Sequence, residues 1–418
     1  MRSSSRRTSK FGVIAWLLLT CGGARAENPA ELVRQVHVVG AARTRDRTVR
    51  ELLRRPPPAR YSDREIDDWV RRVSNLEAFD DVALRRHDGA LELVVQEKWT
   101  LLPLIDFQSG RTLGDARILL GLTETNLLGT GNGLTVTFAR AERGFGGTAL
   151  FEEHPYRHHR WALGTKFEAA SASYRFADGA QFRTRSARLD LYGTSPPVVS
   201  PYANFRVGIG LSRLRILDTQ GDVPGGTSHA VETFCALHWD AYSWHDTSPH
   251  GVRAQLGAGT GALVATGRTE PRHFVEGRIE GAARIGPRTI IAVRGMAGVV
   301  TRGNAAYSFL VGGVEGVRGL DDAYYRNWLS SYGNLELRHA EYVAPRWAVQ
   351  GVLFADGAVF EQVSKSGARG SVGVAAALGA GLRIIPTWLA ATVLRLDVGR
   401  LLVPTPRLAW QIGLSQYY

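Results

Sequence analysis

The sequence predicts a membrane protein of the all-β class, a 16-stranded antiparallel transmembrane β-barrel preceded by a small α+β unit. Three observations predict this fold. The first 26 residues have the pattern of an export signal, and the glycine and charge content changes abruptly near Trp99. Beyond Trp99, apolar residues alternate with polar or small ones. Only two cysteines occur in 418 residues, which excludes disulfide-rich scaffolds and multi-cysteine metal modules.

Residues 1–26 are expected to be a secretory signal peptide. Positive charge comes first, from Arg2, Arg6, Arg7 and Lys10. An apolar stretch at residues 11–20 follows, and Ala24-Arg25-Ala26 supplies the small residues of a cleavage site. The apolar stretch is much shorter than the ~20 residues that a membrane-spanning helix needs. Cleavage after Ala26 would leave Cys235 as the sole cysteine.

A compositional boundary near Trp99 divides the rest of the chain. Residues 27–99 contain 28 charged residues and two glycines, whereas residues 100–418 contain 57 charged residues and 42 glycines. We therefore expect one unit over residues 27–99 and the barrel over residues 100–418. The formal net charge is +12, and arginines alternate along strands. This pattern favours a basic lumen and contact with anionic lipid head groups over binding of nucleic acid.

The first unit has a β-α-α-β-β pattern of elements. Capping residues, turn residues and apolar spacing set the expected elements. The first element is a strand over residues 33–40, followed by a helix that Thr44 caps and that carries Val49, Leu52 and Leu53. A second helix begins at the capping box Ser62-Asp63-Arg64-Glu65. Two strands, around residues 82–86 and 91–95, follow and are joined by a turn at Asp88-Gly89. One apolar face of each helix should pack on a three-stranded sheet.

The alternation of residues 100–418 has two interpretations. In a soluble sandwich the apolar face packs in a dry core, whereas in a transmembrane barrel it meets lipid and the polar face lines the lumen. The export signal, the even strand number and the terminal aromatic Tyr418 favour the barrel. Sixteen strands are expected to begin near residues 101, 117, 134, 149, 160, 181, 203, 230, 252, 274, 290, 328, 348, 373, 390 and 408.

Several short motifs resemble those of the BamA/TamA superfamily of outer-membrane barrels, also called surface-antigen barrels. They lie at residues 36–40, 75–79, 126–131, 154–156, 313–320, 354–357, 379–383 and 395–399. The resemblance implies a periplasmic POTRA domain at residues 31–98 and a barrel with a loop folded back into its lumen. Only one POTRA unit fits between the expected signal peptide and the barrel, whereas the general assembly factor of the resembled family usually has several, so that role is less expected.

The motif that the resemblance assigns to the lumenal loop is Val317, Arg318, Gly319 and Leu320. Leu320 stands where the family usually has an aromatic residue. A confined guanidinium needs a carboxylate partner. Alternation places Asp356 and Asp397 on lumenal faces, so we expect Arg318 to pair with one or both of them. The alternative is that Arg318 is a solvated residue of an external loop.

The seam between the first and last strands is the second candidate site, represented by Pro103 and Tyr418. Proline cannot donate a hydrogen bond to a neighbouring strand, so Pro103 would weaken the seam and let it open sideways toward an incoming strand. The alternative is that Pro103 precedes the first strand.

The expected function is non-enzymatic. By resemblance, the protein would reside in the cell outer membrane with its first unit in the periplasm, and would insert β-rich polypeptides or move them across the membrane. Expected partners are membrane lipid, unfolded or β-rich polypeptides, and periplasmic proteins or lipoproteins that dock on the POTRA unit. A dedicated two-partner-type secretion transporter, or a structural anchor or passive pore, are the alternatives. No cofactor or metal is expected, since His154, His158 and His159 lack completing ligands.

Overall fold

The computed structural model describes residues 30–416 apart from short gaps. These gaps are residues 54, 75, 77, 109–115, 142–143, 155–160, 176–180, 199, 201, 221–225, 246–247, 266–267, 302–308, 312–315, 321–324, 364–368 and 387–391. The expected signal peptide, Tyr418, His158 and His159 therefore lie outside the described residues. None of the helices within these ranges has the length and apolar character to cross a membrane.

Residues 30–100, called here the N-terminal unit, combine two small sheets with two helices. The elements are β1 Glu31–Val33, β2 Gln35–Val39, α1 Asp46–Arg50, β3 Ala59–Tyr61, α2 Asp63–Ser74, β4 Phe79–His87 and β5 Ala90–Glu97. The main sheet has the order β2-β5-β4, with β2 parallel and β4 antiparallel to β5. The strand expected at residues 33–40 is split, because Val33 pairs with β3 whereas β2 pairs with β5.

Helix α2 and its capping box pack as the sequence predicts. The Ser62 backbone N–H donates to Glu65 Oε2 at 3.0 Å, and the Glu65 N–H donates to Ser62 Oγ at 3.3 Å. Trp69 is buried and donates its indole N–H to the carbonyl of Val49 at 3.1 Å. The apolar face of α2 thereby lies in a single core with the sheet.

The expectation that Thr44 caps the first helix was wrong. Helix α1 begins one residue later, with Arg45 at its N-cap and no side-chain capping bond. The buried Thr44 hydroxyl instead accepts a hydrogen bond from Asn126 Nδ2 at 2.9 Å, so it contacts the barrel. Leu52 and Leu53 follow the short helix in a turn and are still buried in the core.

The remaining strands close into an antiparallel barrel with sixteen long strands. Their bounds are β6 Leu101–Gln108, β7 Arg117–Leu127, β8 Asn132–Ala141, β9 Gly144–Glu152, β10 Ala162–Arg175, β11 Gln181–Thr194, β12 Ala203–Gln220, β13 Gly226–Asp240, β15 Ser248–Ala265, β16 Arg268–Gly286, β17 Thr289–Val300, β19 Tyr325–Val343, β20 Trp347–Val363, β21 Arg369–Pro386, β22 Thr392–Val403 and β23 Arg407–Gln416. Two three-residue strands, β14 Ser243–His245 and β18 Phe309–Val311, pair with β15 and β19. Each expected start lies within six residues of an observed one.

The apolar face of the alternating strands lies outside the closed ring. On β12, Phe205, Val207 and Ile209 are 42%, 45% and 50% exposed. An aromatic row marks the strand ends nearest the N-terminal unit, and consists of Trp161, Trp239, Tyr342 and Trp347, all exposed. The soluble-sandwich interpretation therefore does not apply, because these apolar side chains are not packed in a dry core between sheets.

Candidate functional site

Residues 316–320, called here the lumenal segment, lie buried inside the barrel between β18 and β19. Val317 is 0% exposed and Leu320 is 6% exposed. Both pack against inward-facing side chains of three neighbouring strands, namely Ala358, Phe360, Ala375, Ala377 and Leu401. Leu320 thus packs in an apolar cluster at the position where the resembled family usually has a ring.

Arg318 makes a set of charge-assisted contacts with three carboxylates. Its Nε–H and Nη2–H donate to the two carboxylate oxygens of Asp356, each at 2.7 Å, and its backbone N–H donates to Asp356 Oδ2 at 3.0 Å. Its Nη1 donates to Glu336 Oε1 at 2.7 Å and lies 3.5 Å from Asp397 Oδ2. Both carboxylates expected from the sequence lie at Arg318, joined by Glu336, which was not anticipated.

Two further arginines complete this cluster. Arg383, 0% exposed, donates to the Asp397 carboxylate at 2.5 and 3.2 Å and to Glu336 Oε1 at 3.3 Å. Arg338 Nε donates to Glu336 Oε2 at 2.8 Å. The six residues, called here the Arg318 network, are Arg318, Glu336, Arg338, Asp356, Arg383 and Asp397. Three positive and three negative charges balance, as burial in a confined lumen requires.

Side chains of the barrel wall also bind backbone carbonyl groups of the lumenal segment. Asn334 Nδ2 donates to the carbonyl of Gly316 at 2.7 Å and to Asp356 Oδ1 at 2.8 Å. Arg407 Nε donates to the carbonyl of Gly319 at 2.8 Å. Because Arg407 is the first residue of β23, the segment is tied to the last strand as well as to β20.

Glycines make room for this arrangement at two points. Gly319 has φ +85°, a conformation that side-chain-bearing residues rarely adopt. A Cβ at Gly381 would lie 2.0 Å from Asp397 Oδ1, so only glycine allows that carboxylate its position. The sequence motifs at residues 379–383 and 395–399 therefore fit one another across the β21–β22 pair, where Gly381 lies opposite Asp397.

The ring of Phe354 packs against the guanidinium group of Arg318. The guanidinium carbon of Arg318 lies 3.5 Å from the ring centroid, as in a cation–π contact. A Cβ at Gly379 or Gly399 would lie 2.4 or 2.9 Å from the ring atom Cζ. The ring thus occupies space that two facing glycines leave open, which explains why the aromatic and glycine motifs occur together.

Three residues of the site that were not predicted, Asn334, Glu336 and Arg338, follow the same alternating pattern as the predicted ones. On β19, Leu335 and Leu337 are exposed on the outside, and the polar side chains between and beside them belong to Asn334, Glu336 and Arg338. The same period-two argument that placed Asp356 inward applies to these three residues. The register between the consecutive strands β19 and β20, which places Asn334 opposite Asp356, does not follow from this pattern.

A second polar cluster lines another part of the inner wall. Arg188 Nη1 lies 2.8 Å from Glu232 Oε2, and Arg272 also pairs with the 2%-exposed Glu232. Nearby, Glu152 Oε1 accepts hydrogen bonds from the Tyr192 hydroxyl at 2.6 Å and from Arg206 Nη2 at 2.9 Å. The lumen is therefore lined with paired charges on two sides.

The turn at residues 126–131, between β7 and β8, binds the N-terminal unit. The carbonyl of Gly129 accepts hydrogen bonds from the Arg45 backbone N–H at 2.9 Å and from the Thr48 hydroxyl at 3.0 Å. Gly129 has φ +72°, and a Cβ there would lie 2.2 Å from the carbonyl oxygen of Arg43. Asn126, 7% exposed, adds the bond to Thr44. The motif at residues 126–131 thus joins the two parts of the chain.

The seam between β6 and β23 is short. In the described part of the chain, the two strands pair only at Gln108 with Gly413 and at Phe107 with Leu414. Pro103 lies inside β6 opposite Leu122 of β7, so the alternative that it precedes the first strand was wrong. By contrast, β22 and β23 pair continuously over ten positions. Tyr418 lies outside the described residues.

Among the residues that the structure describes, no three His, Cys, Asp or Glu side chains come together in a way that could hold a metal ion. The glycine-rich residues 257–261 lie within strand β15, not between a strand and a helix.

Comparison with solved structures shows the same fold. BamA from Haemophilus ducreyi lacking POTRA domains 1–3 matches with a TM-score of 0.58 and 14% identity, over 92% of this chain and 84% of that one. CdiB from Escherichia coli matches with a TM-score of 0.64 and 14% identity, over 92% and 76%. CdiB from Acinetobacter baumannii matches with 0.61 and 12%, over 92% and 73%. No protein-family model and no curated protein matches the chain.

Proposed function

We propose that the protein resides in the outer membrane, with its N-terminal unit as a POTRA domain in the periplasm, and inserts β-rich polypeptides or moves them across that membrane. The observation that carries the proposal is the lumenal segment held by the Arg318 network beside a short seam. The outward apolar band and its aromatic row fit a bilayer. The fold shared with BamA and CdiB supports the same role, which requires no covalent chemistry.

The lumenal segment would act as a brace for one side of the seam. It is bonded to β20 through Asp356, approaches β22 through Asp397 and is bonded to β23 through Arg407. The last strands are thereby held together, whereas β6 meets β23 at two described positions. Opening would separate β6 from β23 and offer unpaired backbone groups to an incoming strand.

The sheet of the N-terminal unit would supply a first docking edge. In the order β2-β5-β4, strand β4 lies at an edge and is nine residues long. An extended polypeptide can add to such an edge through main-chain hydrogen bonds. The turn at residues 126–131 would hold this edge at a defined position relative to the barrel mouth.

Depletion of the protein, followed by proteomics of the cell surface and of the culture medium, tests the proposal. Loss of many outer-membrane barrels indicates assembly, and loss of one exported protein indicates a dedicated secretion transporter. No loss from either fraction contradicts the proposal and favours an anchor or passive pore. Heat-modifiable migration of the purified protein in detergent gels checks independently that the barrel is closed.

A further inference from the structure

Four arginines form an outward-facing group at the barrel end farther from the N-terminal unit. This arginine patch consists of Arg183 and Arg185 on β11 and Arg213 and Arg215 on β12, all exposed. The four arginine side chains point outward, because Thr184 and Leu214, which alternate with them along the two strands, are buried at 2% and 6% exposure. Nearer the N-terminal unit, the outward-facing side chains of the same two strands are apolar, namely Leu191 on β11 and Ile209 and Leu211 on β12.

The register concentrates positive charge within the patch. Arg185 lies directly opposite Arg215, an arrangement in which like charges ordinarily destabilise a sheet. Arg183 lies opposite Asp218, and the outward neighbours on the flanking strands are the hydroxylic Ser171, Ser173 and Thr227 and the imidazole of His229. Within the described residues, no hydrogen bond or ion pair joins the side chains of Arg185, Arg213 or Arg215 to another group. Anions from outside the chain would relieve the repulsion.

The height of the patch matches the border of a bilayer. Trp239, in the aromatic row near the N-terminal unit, lies opposite Ala203 at the start of β12. Arg213 lies ten residues further along β12 than Ala203. Ten residues span about 33 Å along a strand, or about 25 Å of height at a tilt of ~40°. This height equals that of the apolar band of a membrane barrel, about 25 Å.

We propose that the arginine patch binds the phosphate groups of phosphorylated lipid head groups in the leaflet farther from the N-terminal unit. Guanidinium groups bind phosphate oxygens through paired N–H donors, and the outward serine, threonine and histidine side chains add hydrogen-bonding capacity. The apolar residues directly below, Leu191, Ile209 and Leu211, would contact the acyl chains of the same lipid. This inference uses the proposed membrane orientation but is independent of any transport activity.

The test measures lipid binding by the full-length protein in non-ionic detergent. The probes are a lipid A carrying two phosphates and the same lipid without phosphates, titrated and counted by native mass spectrometry. Each arginine near an anionic lipid surface contributes ~1 kcal/mol. The double variant Arg185→Gln/Arg215→Gln should therefore bind the phosphorylated lipid roughly 30-fold more weakly, and the single variant Arg213→Gln about fivefold more weakly.

A matched control removes the same charge from the other face of the wall. Arg278 and Arg284 of β16 point into the lumen, where Arg278 is 59% exposed. The variant Arg278→Gln/Arg284→Gln should bind both lipids as the parent does. Unchanged binding in a folded Arg185→Gln/Arg215→Gln or Arg213→Gln variant overturns the proposal, as does equal weakening in the control. Equal binding of the phosphate-free lipid, or tighter binding of poly-glutamate, also overturns it.

Discussion

Replacing Arg318 by alanine should release the lumenal segment from the barrel wall. Removing one member of a buried ion pair costs roughly 3–5 kcal/mol, mostly because the remaining charge is left without compensation. Here Asp356 keeps the hydrogen bond from Asn334, and Glu336 keeps those from Arg338 and Arg383. The cost should therefore lie at the low end, about 3 kcal/mol, which corresponds to roughly a 150-fold change in the equilibrium between seated and released segment.

The assay uses a thiol introduced at Val317, which is 0% exposed in the seated segment. Because Cys235 is exposed, Val317→Cys is combined with Cys235→Ser. Labelling by a water-soluble maleimide then requires release, and its rate follows the released population when reseating is fast. Arg318→Ala should raise the labelling rate roughly 100-fold. Arg318→Lys, which keeps the charge but loses the forked geometry, should give an intermediate rate.

Arg278→Ala is the control for removing a lumenal charge, because its side chain is 59% exposed and, among the described residues, its ion pair is with Glu276 alone, at 3.7 Å. Its labelling rate should equal that of the parent. A labelling rate in Arg318→Ala indistinguishable from that of Arg278→Ala would refute the reasoning, since the guanidinium would then contribute nothing to seating the segment.

Three further predictions concern the seam, the turn and the N-terminal unit. A disulfide between Phe107→Cys and Leu414→Cys, which are cross-strand partners, should abolish function in cells, and reduction should restore it. Gly129→Ala should increase protease cleavage between the N-terminal unit and the barrel, because its Cβ would clash with a backbone carbonyl. Burial raises the pKa of Glu97, but the combined hydrogen bonds from Thr44, Arg43 and Ala42 outweigh burial and lower that pKa. The stability that Glu97 confers should therefore be complete above its unfolded pKa of about 4.3 and be lost as the pH falls through the lowered value, as chemical denaturation at a series of pH values would measure.

Each of these predictions has a matched control. A disulfide between Leu396→Cys and Ile412→Cys joins partners in the continuous β22–β23 pair and should leave function intact. Gly277→Ala, where the nearest atom lies 3.8 Å from the new Cβ, should not change cleavage. Glu97→Gln should lose less stability than the parent on acidification, whereas Glu92→Gln on the same strand should lose as much as the parent. A functional seam disulfide, undisturbed cleavage in Gly129→Ala, or an acid-dependent loss in Glu97→Gln as large as in the parent would contradict the respective arguments.

The strands could be predicted from the local alternation of apolar and polar residues. The alternation of Phe205, Val207 and Ile209 is visible within five residues, and burial on one side of a wall is sufficient to impose it. The predicted start of a strand lies after the observed one where the strand begins with polar residues. Strand β16, for example, begins at Arg268, several residues before the exposed apolar Val275. The capping box at Ser62 was equally local and is confirmed.

Contacts between distant parts of the chain were harder to predict. Arg318 and Asp356 could be paired in advance because both lie in recognisable motifs and carry opposite charges. The hydrogen bond between Thr44 and Asn126 joins residues 82 positions apart, and nothing near Thr44 in the sequence distinguishes this role from helix capping. Sequence periodicity gives the face on which a side chain lies, but not which strand faces it across the lumen.

The lumenal segment depends on parts of the chain that follow it. Arg318 precedes Asp356 by 38 residues, and Gly319 precedes Arg407 by 88 residues. The carboxylate partners of the segment in β20 and β22 and its hydrogen-bond partner in the last strand therefore all lie C-terminal to it in the chain. The complete set of bonds is present only when β20, β22 and β23 have all joined the ring, so the interior and the wall of the barrel are completed together. A chain truncated before β23 would lack the Arg407 bond and would leave the interior unfinished as well as the wall.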